Sequence, residues 1–141
     1  MASSATPYVW SLILSFAALL ISIILLYAAR FSARLEVKDL AALRSMFDRF
    51  PAWGKRASWA QQNSFEAFAM HAPAALLAVV AVLNGHTLPG IAVTVALAHP
   101  LLRVAYISAY LLNVPIARSV AWFLGLLCSG ILYGVGLEAL V

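Results

Sequence analysis

Two apolar stretches of this chain carry polar side chains at helical spacing. Asn63 and Glu66 are three residues apart, so a helix places them on one face. Arg103, Tyr106 and Tyr110 follow the spacing i, i+3, i+7, which also keeps them on one face. Guanidinium, amide and phenol groups donate hydrogen bonds, and a guanidinium binds a carboxylate through charge-assisted bonds. These residue types indicate a site for an anionic, hydrogen-bonding ligand.

A further polar pair, Arg118 and Ser119, opens the last apolar stretch of the chain. Charged groups are expensive inside a membrane and need a partner or a purpose there. Glu66 and Arg103 each lie about 13 Å from the same end of their predicted helices, at 1.5 Å per residue. We therefore expect a convergent polar pocket at that end. The alternative is a buried Glu66–Arg103 ion pair that only fixes the helix register.

The composition shows which kind of element must position these groups. Hydrophobic residues make up 65% of the 141 residues and charged residues 10%, against roughly half and a quarter in a soluble domain. A small soluble protein needs more polar residues to cover its surface. The chain is therefore predicted to be an all-α integral membrane protein, with residues 1–141 forming one membrane domain.

Hydropathy and turn signals divide the chain into four spans. A helix crosses a hydrocarbon core of about 30 Å with about 20 mainly apolar residues. The uncharged stretch 67–102 is too long for one crossing, and turn-forming residues at 84–90 divide it. A cleaved signal peptide is a poorer interpretation of the first span, which has no basic leading region. The predicted membrane helices cover residues 8–29, 57–83, 90–112 and 116–140.

The basic residues predict the orientation. Seven of the nine Lys and Arg residues lie between Arg30 and Arg56, and an excess of basic residues is typical of cytoplasmic loops. The loop of residues 30–56 is therefore predicted to be cytoplasmic, with both termini on the opposite side. A basic cluster inside an apolar chain argues against a nucleic-acid groove, so no nucleic-acid partner is expected.

The same loop has an apolar periodicity of its own. Its spacing i, i+3, i+7, i+10 is carried by Leu40, Leu43, Phe47 and Phe50. Arg44 and Asp48 form an i, i+4 pair off that stripe, and Pro51 ends the pattern. The pattern predicts a short amphipathic helix on the membrane surface. The alternative is a solvated linker with accidental periodicity.

Other reactive residue types do not form a motif. His71 and His99 have no cysteine or carboxylate at ligand spacing, so no metal site is predicted. The single cysteine, Cys128, lies among apolar residues, which argues against both a disulfide scaffold and a reactive thiol.

The polar residues together resemble the signatures of the MAPEG family, the membrane-associated proteins of eicosanoid and glutathione metabolism. The likeness spans nearly the whole chain. It is carried by Arg56-Ala57-x5-Asn63-x2-Glu66, Arg103-x2-Tyr106-x3-Tyr110 and Pro115-x2-Arg118-Ser119-x2-Trp122. The resemblance implies a homotrimer of four-helix bundles that binds glutathione as a co-substrate between neighbouring protomers.

The resemblance also implies roles for individual residues. Arg118 and Ser119 would stabilise the glutathione thiolate and act as the catalytic residues. The residues expected to hold glutathione are Asn63, Glu66, Arg103, Tyr106, Tyr110 and Arg56. The implied activity is that of a membrane-bound glutathione transferase or peroxidase acting on lipophilic electrophiles. Several glutathione-using relatives have arginines where this chain has Trp59 and Gln62, which favours the alternative of a non-enzymatic protein with a structural or accessory role.

Overall fold

Four long helices make up most of the structure, a computed structural model that describes residues 4–141. The first three residues of the predicted domain lie outside the described part. The long helices are α1 (Thr6–Ser32), α2 (Ala52–Leu83), α3 (Gly90–Leu111) and α4 (Pro115–Leu140). Each is long and apolar enough to cross a membrane. Two short 3₁₀ helices, Val37–Ala41 and Leu43–Arg49, lie between α1 and α2.

The second helix begins five residues earlier than the sequence predicts, at Ala52 instead of residue 57. Pro51 precedes it in an extended conformation (φ −60°, ψ 163°), and proline is tolerated at a helix start because its missing N–H would be unpaired there. Lys55 and Arg56 therefore belong to the first turns of α2. Glu66 lies 14 residues after Ala52, about 21 Å along the helix.

Residues in left-handed conformations end α2 and α3. Gly85 has φ 86° and Asn113 has φ 58°, and these are the residue types that adopt this conformation at a helix C-terminus. The N–H of Val114 donates to the carbonyl of Ala109 at 2.9 Å, which closes the last turn of α3. The chain therefore reverses direction at both turns. The end of the bundle that carries residues 33–51 and Asn113 is called the loop end below.

Small residues face the interior of the bundle and large apolar residues face outward. α1 packs mainly on α2 and α3 on α4, while α2 also contacts α3 and α4. Fully buried alanines line these contacts, namely Ala74, Ala75, Ala78, Ala81, Ala92 and Ala96. Many Leu, Ile and Phe side chains are exposed on the outer surface. This arrangement suits helices that pack closely in a lipid bilayer.

The loop between α1 and α2 differs from its prediction. It forms two 3₁₀ helices, not one amphipathic helix. Leu40 is 61% exposed, whereas Met46, which lies off the predicted stripe, is completely buried. Met46 and Phe50 pack against Leu26 and Ala29 of α1, with Leu43 and Phe47 partly buried beside them. Ala42 has a non-helical conformation (φ −151°, ψ 63°) and separates the two 3₁₀ helices. The segment therefore does not keep the 3.6-residue period of an α-helix.

Ion pairing in the loop also differs from the predicted Arg44–Asp48 pair. The salt bridges found among residues 4–141 join Arg49 to Asp39 at 2.6 Å and Lys38 to Glu36 at 2.7 Å. The hydrogen bond from Arg49, together with one from the backbone N–H of Glu36, holds the pKa of the Asp39 carboxyl below its usual range. Asp39 thus joins three parts of the loop, because its carboxylate binds both the Arg49 side chain and the backbone of Glu36.

Candidate functional site

One cavity brings together most of the predicted site residues. It has a volume of about 550 Å³, within the range of roughly 300–1,000 Å³ found for small-molecule sites. We call it the donor cavity. Its lining residues are Asn63, Tyr106, Tyr110, Arg118, Ser119, Trp122 and Phe123. They come from α2, α3 and α4, so the three separate polar segments of the sequence do meet in space.

Hydrogen-bond donors and one cation, Arg118, form the polar part of the donor cavity. Among the described residues, no carboxylate lines it. The guanidinium of Arg118 lies 4.6 Å from the centre of the Tyr110 ring, and the ring of Tyr110 contacts that of Tyr106 edge to face. Arg118 and Ser119 also stand in the first turns of α4, where the helix dipole favours an anion. The cavity is therefore built to attract negative charge.

Arg103 lies behind the wall of the donor cavity. Its side chain is buried, 3% exposed. Its Nη2 donates to Asn63 Oδ1 at 3.1 Å and to Ser64 Oγ at 3.4 Å. Its guanidinium carbon is 4.2 Å from the centre of the Tyr106 ring. Two of its contacts, Asn63 and Tyr106, line the cavity. The positive charge of Arg103 therefore lies one side chain away from the cavity surface.

The direct ion pair considered for Glu66 and Arg103 is absent from the described residues. Asn63 lies between the two charges instead: it accepts from Arg103 and donates through Nδ2 to Glu66 Oε2 at 3.4 Å. Equal depth in the membrane does not specify the rotation of each helix about its axis, and this rotation turns Glu66 away from α3. A buried guanidinium is thus left without a carboxylate partner among residues 4–141.

Glu66 lines a second, separate cavity of about 650 Å³. We call it the loop groove, because α1, the loop and α2 form its walls. Two arginines, Arg30 and Arg44, line it together with aromatic residues. The complete lining is Leu26, Arg30, Leu43, Arg44, Phe47, Phe50, Ser58, Trp59, Gln61, Gln62, Phe65 and Glu66. The structure therefore separates Glu66 from the predicted site residues that line the donor cavity, and places it in a cavity on a neighbouring face of α2.

Arg56 is predicted to hold the ligand, but the structure places it elsewhere. Its Nε donates to the carbonyl of Leu111 at 3.2 Å, at the C-terminus of α3, where a cation satisfies an unpaired carbonyl and the helix dipole. Trp59 lies near Tyr110, with ring centres 6.4 Å apart, and near Phe47 at 5.5 Å. Trp59 therefore packs between the loop and the residues of the donor cavity.

Sequence reasoning missed three residues that line these cavities or contact Arg103. Ser64 contacts Arg103 and Phe123 lines the donor cavity, and both follow immediately after residues that the motifs do include. Arg44 lines the loop groove, whereas the helical spacing predicts that it pairs with Asp48. For Ser64 and Phe123, adjacency to Asn63 and Trp122 was the available signal. For Arg44 there was none, since the loop conformation decides where it points.

Comparison with known families gives one result. A family model of the MAPEG family matches residues 8–137. The chain belongs to the MAPEG family. The match covers all four membrane helices almost completely, and it includes every residue that lines the donor cavity. Searches of curated proteins and of solved structures give no match.

Membership in the MAPEG family establishes the general class of the protein. It is a membrane protein related to glutathione or eicosanoid metabolism, and its four apolar helices fit a multi-pass integral membrane protein in a lipid bilayer. The sequence resemblance to MAPEG proteins is thereby confirmed.

Proposed function

We propose that this protein is a membrane-bound glutathione-dependent transferase or peroxidase that acts on lipophilic electrophiles. One observation carries the proposal: Arg118 lines a donor cavity to which no carboxylate among residues 4–141 contributes, and the buried Arg103 stands behind its wall. A cavity of this charge suits an anionic ligand, and glutathione carries two carboxylates. The amide of Asn63 and the phenols of Tyr106 and Tyr110 supply further donors.

Arg118 and Ser119 are the proposed catalytic residues. A free thiol with a pKa of about 8.5 is mostly protonated at neutral pH, and the thiolate is the nucleophile. A guanidinium at the sulfur stabilises the thiolate, and the hydroxyl of Ser119 donates a hydrogen bond to it. In conjugation a carbon–sulfur bond forms, the leaving group departs, and the thiol proton passes to water. In peroxide reduction two glutathione molecules become a disulfide, while the hydroperoxide becomes an alcohol and water.

The position of the donor cavity suits a reaction between a polar and an apolar substrate. Its polar residues lie towards the loop end, whereas Trp122 and Phe123 are exposed on the outer face of α4. Glutathione reaches the cavity from water, and a lipophilic electrophile reaches it from the bilayer. We place the loop of residues 30–56 in the cytoplasm and both termini on the opposite side, because basic residues concentrate in that loop.

We further propose that the protein is a homotrimer in which the loop groove of one protomer faces the donor cavity of the next. The support is the division of the predicted ligand residues: Glu66 lines the groove together with Arg30, while Asn63 and Arg118 line the cavity. Closed cyclic assemblies join two different surfaces in this way. The loop groove and the donor cavity together supply arginines for the two carboxylates of glutathione. The carboxylate of Glu66 is available for its amino group.

An activity assay with one variant tests the catalytic proposal. Detergent-purified protein should conjugate glutathione with a chlorodinitrobenzene-type electrophile or reduce a lipid hydroperoxide with it. Arg118→Ala should lower the rate about a hundredfold or more, because it removes the donor that stabilises the developing anion. Lys38→Ala is the control, since it removes one positive charge from an exposed loop position. Ordinary turnover by Arg118→Ala would remove Arg118 from the mechanism.

The second candidate is a MAPEG-fold protein without catalytic activity. The observation that favours it is the packing of Trp59 against Phe47 and Tyr110, at a position where several relatives have an arginine. A thermal-unfolding series with glutathione and an S-alkyl glutathione separates the candidates. At about ten times the dissociation constant, a ligand stabilises the folded state by about 1.4 kcal/mol. No shift with either ligand at millimolar concentration would favour the non-catalytic protein.

A further inference from the structure

A buried polar cluster in the middle of the bundle takes no part in the proposed reaction. The rings of His71 and His99 are stacked, with centres 3.5 Å apart and planes 2° apart. Ser11 of α1 and Ser129 of α4 flank His71. The four residues are at most 3% exposed, and each comes from a different helix. No residue of this cluster lines the donor cavity.

The hydrogen bonds define the proton positions on neutral His71. The hydroxyl of Ser11 lies 2.6 Å from the carbonyl of Ala96, to which it donates its single proton. Ser11 Oγ must therefore accept from His71 Nε2, at 2.8 Å. Nδ1 of the neutral ring then carries a lone pair, so the hydroxyl proton of Ser129 has two acceptors in reach, Nδ1 at 3.0 Å and the carbonyl of Gly125 at 3.1 Å. With either acceptor, the oxygen of Ser129 is free to accept a further hydrogen bond.

A small void separates this cluster from Arg103. Its volume is about 10 Å³, roughly what one water molecule requires. His99, Arg103, Gly125 and Ser129 contribute to its walls. Nε of Arg103 is buried without a hydrogen-bond partner among residues 4–141. The space on the other side of His99 and Arg103, next to Ser15, has no room for a water.

The orientation of His99 turns one edge of its ring towards α4 and this void. Ser15 Oγ lies 3.0 Å from Nδ1 of His99, on the α1 side of the ring. The opposite edge, Cδ2 and Nε2, faces α4: a Cβ built on Gly125 would lie 3.8 Å from Cδ2. In the tautomer whose Nδ1–H donates to Ser15, Nε2 carries a lone pair that can accept a hydrogen bond at this edge.

We propose that one buried water occupies this void and that His99, supported by its stack on His71, orients Arg103 through it. The water accepts from Arg103 Nε–H and donates to His99 Nε2 and Ser129 Oγ. Three hydrogen bonds are typical of a buried water. A neutral acceptor, unlike a carboxylate, does not neutralise Arg103, so its positive charge stays available to an anion in the donor cavity. His99 is thus a positioning residue, and only this consequence for anion binding rests on the proposed function.

Nitrogen NMR of the ligand-free protein with labelled histidine and arginine tests the proposal. We expect neutral His71 to be protonated at Nε2 and neutral His99 at Nδ1, with a water cross-peak at the Arg103 Nε proton. Protonation of neutral His99 at Nε2 would overturn the proposal, because that nitrogen would then be a donor. Absence of the water cross-peak would overturn it as well. Neither outcome depends on whether glutathione binds.

Gly125→Ala is the matched variant. Its methyl group makes ordinary contact with His99 and extends into the void, so the water cross-peak should disappear. The unfolding temperature should not fall, because alanine is the better helix former. Gly130→Ala, whose Cβ would meet open space, is the control and should keep the cross-peak. Glutathione affinity should fall about three- to tenfold in Gly125→Ala alone. A cross-peak that survives in Gly125→Ala would contradict the assignment of the void.

Discussion

Asn63 links the two charged residues nearest to it, Arg103 and Glu66, through hydrogen bonds. Its carbonyl oxygen accepts from Arg103 and its amide group donates to Glu66, so both ends of one side chain are oriented by opposite charges. An aspartate could not play this part, because it has no donor for Glu66. The amide separates the cation from the carboxylate and leaves Arg103 only partly compensated.

Asn63→Asp should therefore weaken glutathione binding. The new carboxylate would pair directly with Arg103 and place a negative charge on the cavity wall, which we expect to lower the affinity about tenfold or more. Quenching of tryptophan fluorescence measures the binding, since Trp122 lines the same cavity. Asn84→Asp, the same change at the exposed far end of α2, should bind normally. Equal affinity in both variants would argue against an anionic ligand next to Asn63.

Sequence spacing predicted that Tyr106 and Tyr110 share a helix face, but not which groups touch across the bundle. Tyr106 and Tyr110 do line one cavity with Arg118, because helical periodicity and turn positions are local properties. The absence of the Glu66–Arg103 pair depends on how α2 and α3 are rotated against each other, a result of packing over many small residues. The roles of Ser64 and Arg56 depend on the same unpredictable detail.

At the scale of elements, the long helices were predictable and the loop was not. Twenty apolar residues specify a membrane span almost without regard to their neighbours. The loop of residues 33–51 lies at the end of the bundle, where its few apolar side chains compete for the surface of α1. Met46 and Phe50 are buried against α1, whereas Leu40 stays exposed. Tertiary contacts thus replaced the regular helix that periodicity indicated.

The loop also makes a pH-dependent contact. The Arg49 hydrogen bond lowers the pKa of Asp39, so the ionised carboxylate stabilises the loop above the usual aspartate pKa of about 3.9. This contribution should disappear as the pH falls through the lowered value. Carbon NMR of the Asp39 carboxyl measures the titration. Arg49→Gln should raise the pKa towards the usual value, whereas Arg34→Gln should not change it. An unchanged pKa in Arg49→Gln would show that the pair is absent in solution.

For the whole molecule, the proposed trimer predicts complementation between variants. Arg30→Ala damages only the loop groove and Arg118→Ala only the donor cavity, so each alone should be nearly inactive. In a trimer that contains both variants, one of the three sites should combine an intact groove with an intact cavity. Co-expression with two affinity tags allows mixed trimers to be purified and assayed. Mixed trimers as inactive as their parents would show that each site lies within a single protomer.

The distribution of large and small residues over the bundle has an evolutionary consequence. Buried positions such as Ala74, Ala78 and Ala96 tolerate no added bulk, because backbone contact with the adjacent helix sets an upper limit on side-chain size. Outward positions such as Ile24 and Leu101 accept almost any lipid-soluble side chain. Sequence drift should therefore exchange apolar residues freely on the outer surface of the bundle. The inward-facing positions should remain restricted to the smallest amino acids, because side-chain size, and not chemical type, limits what fits there.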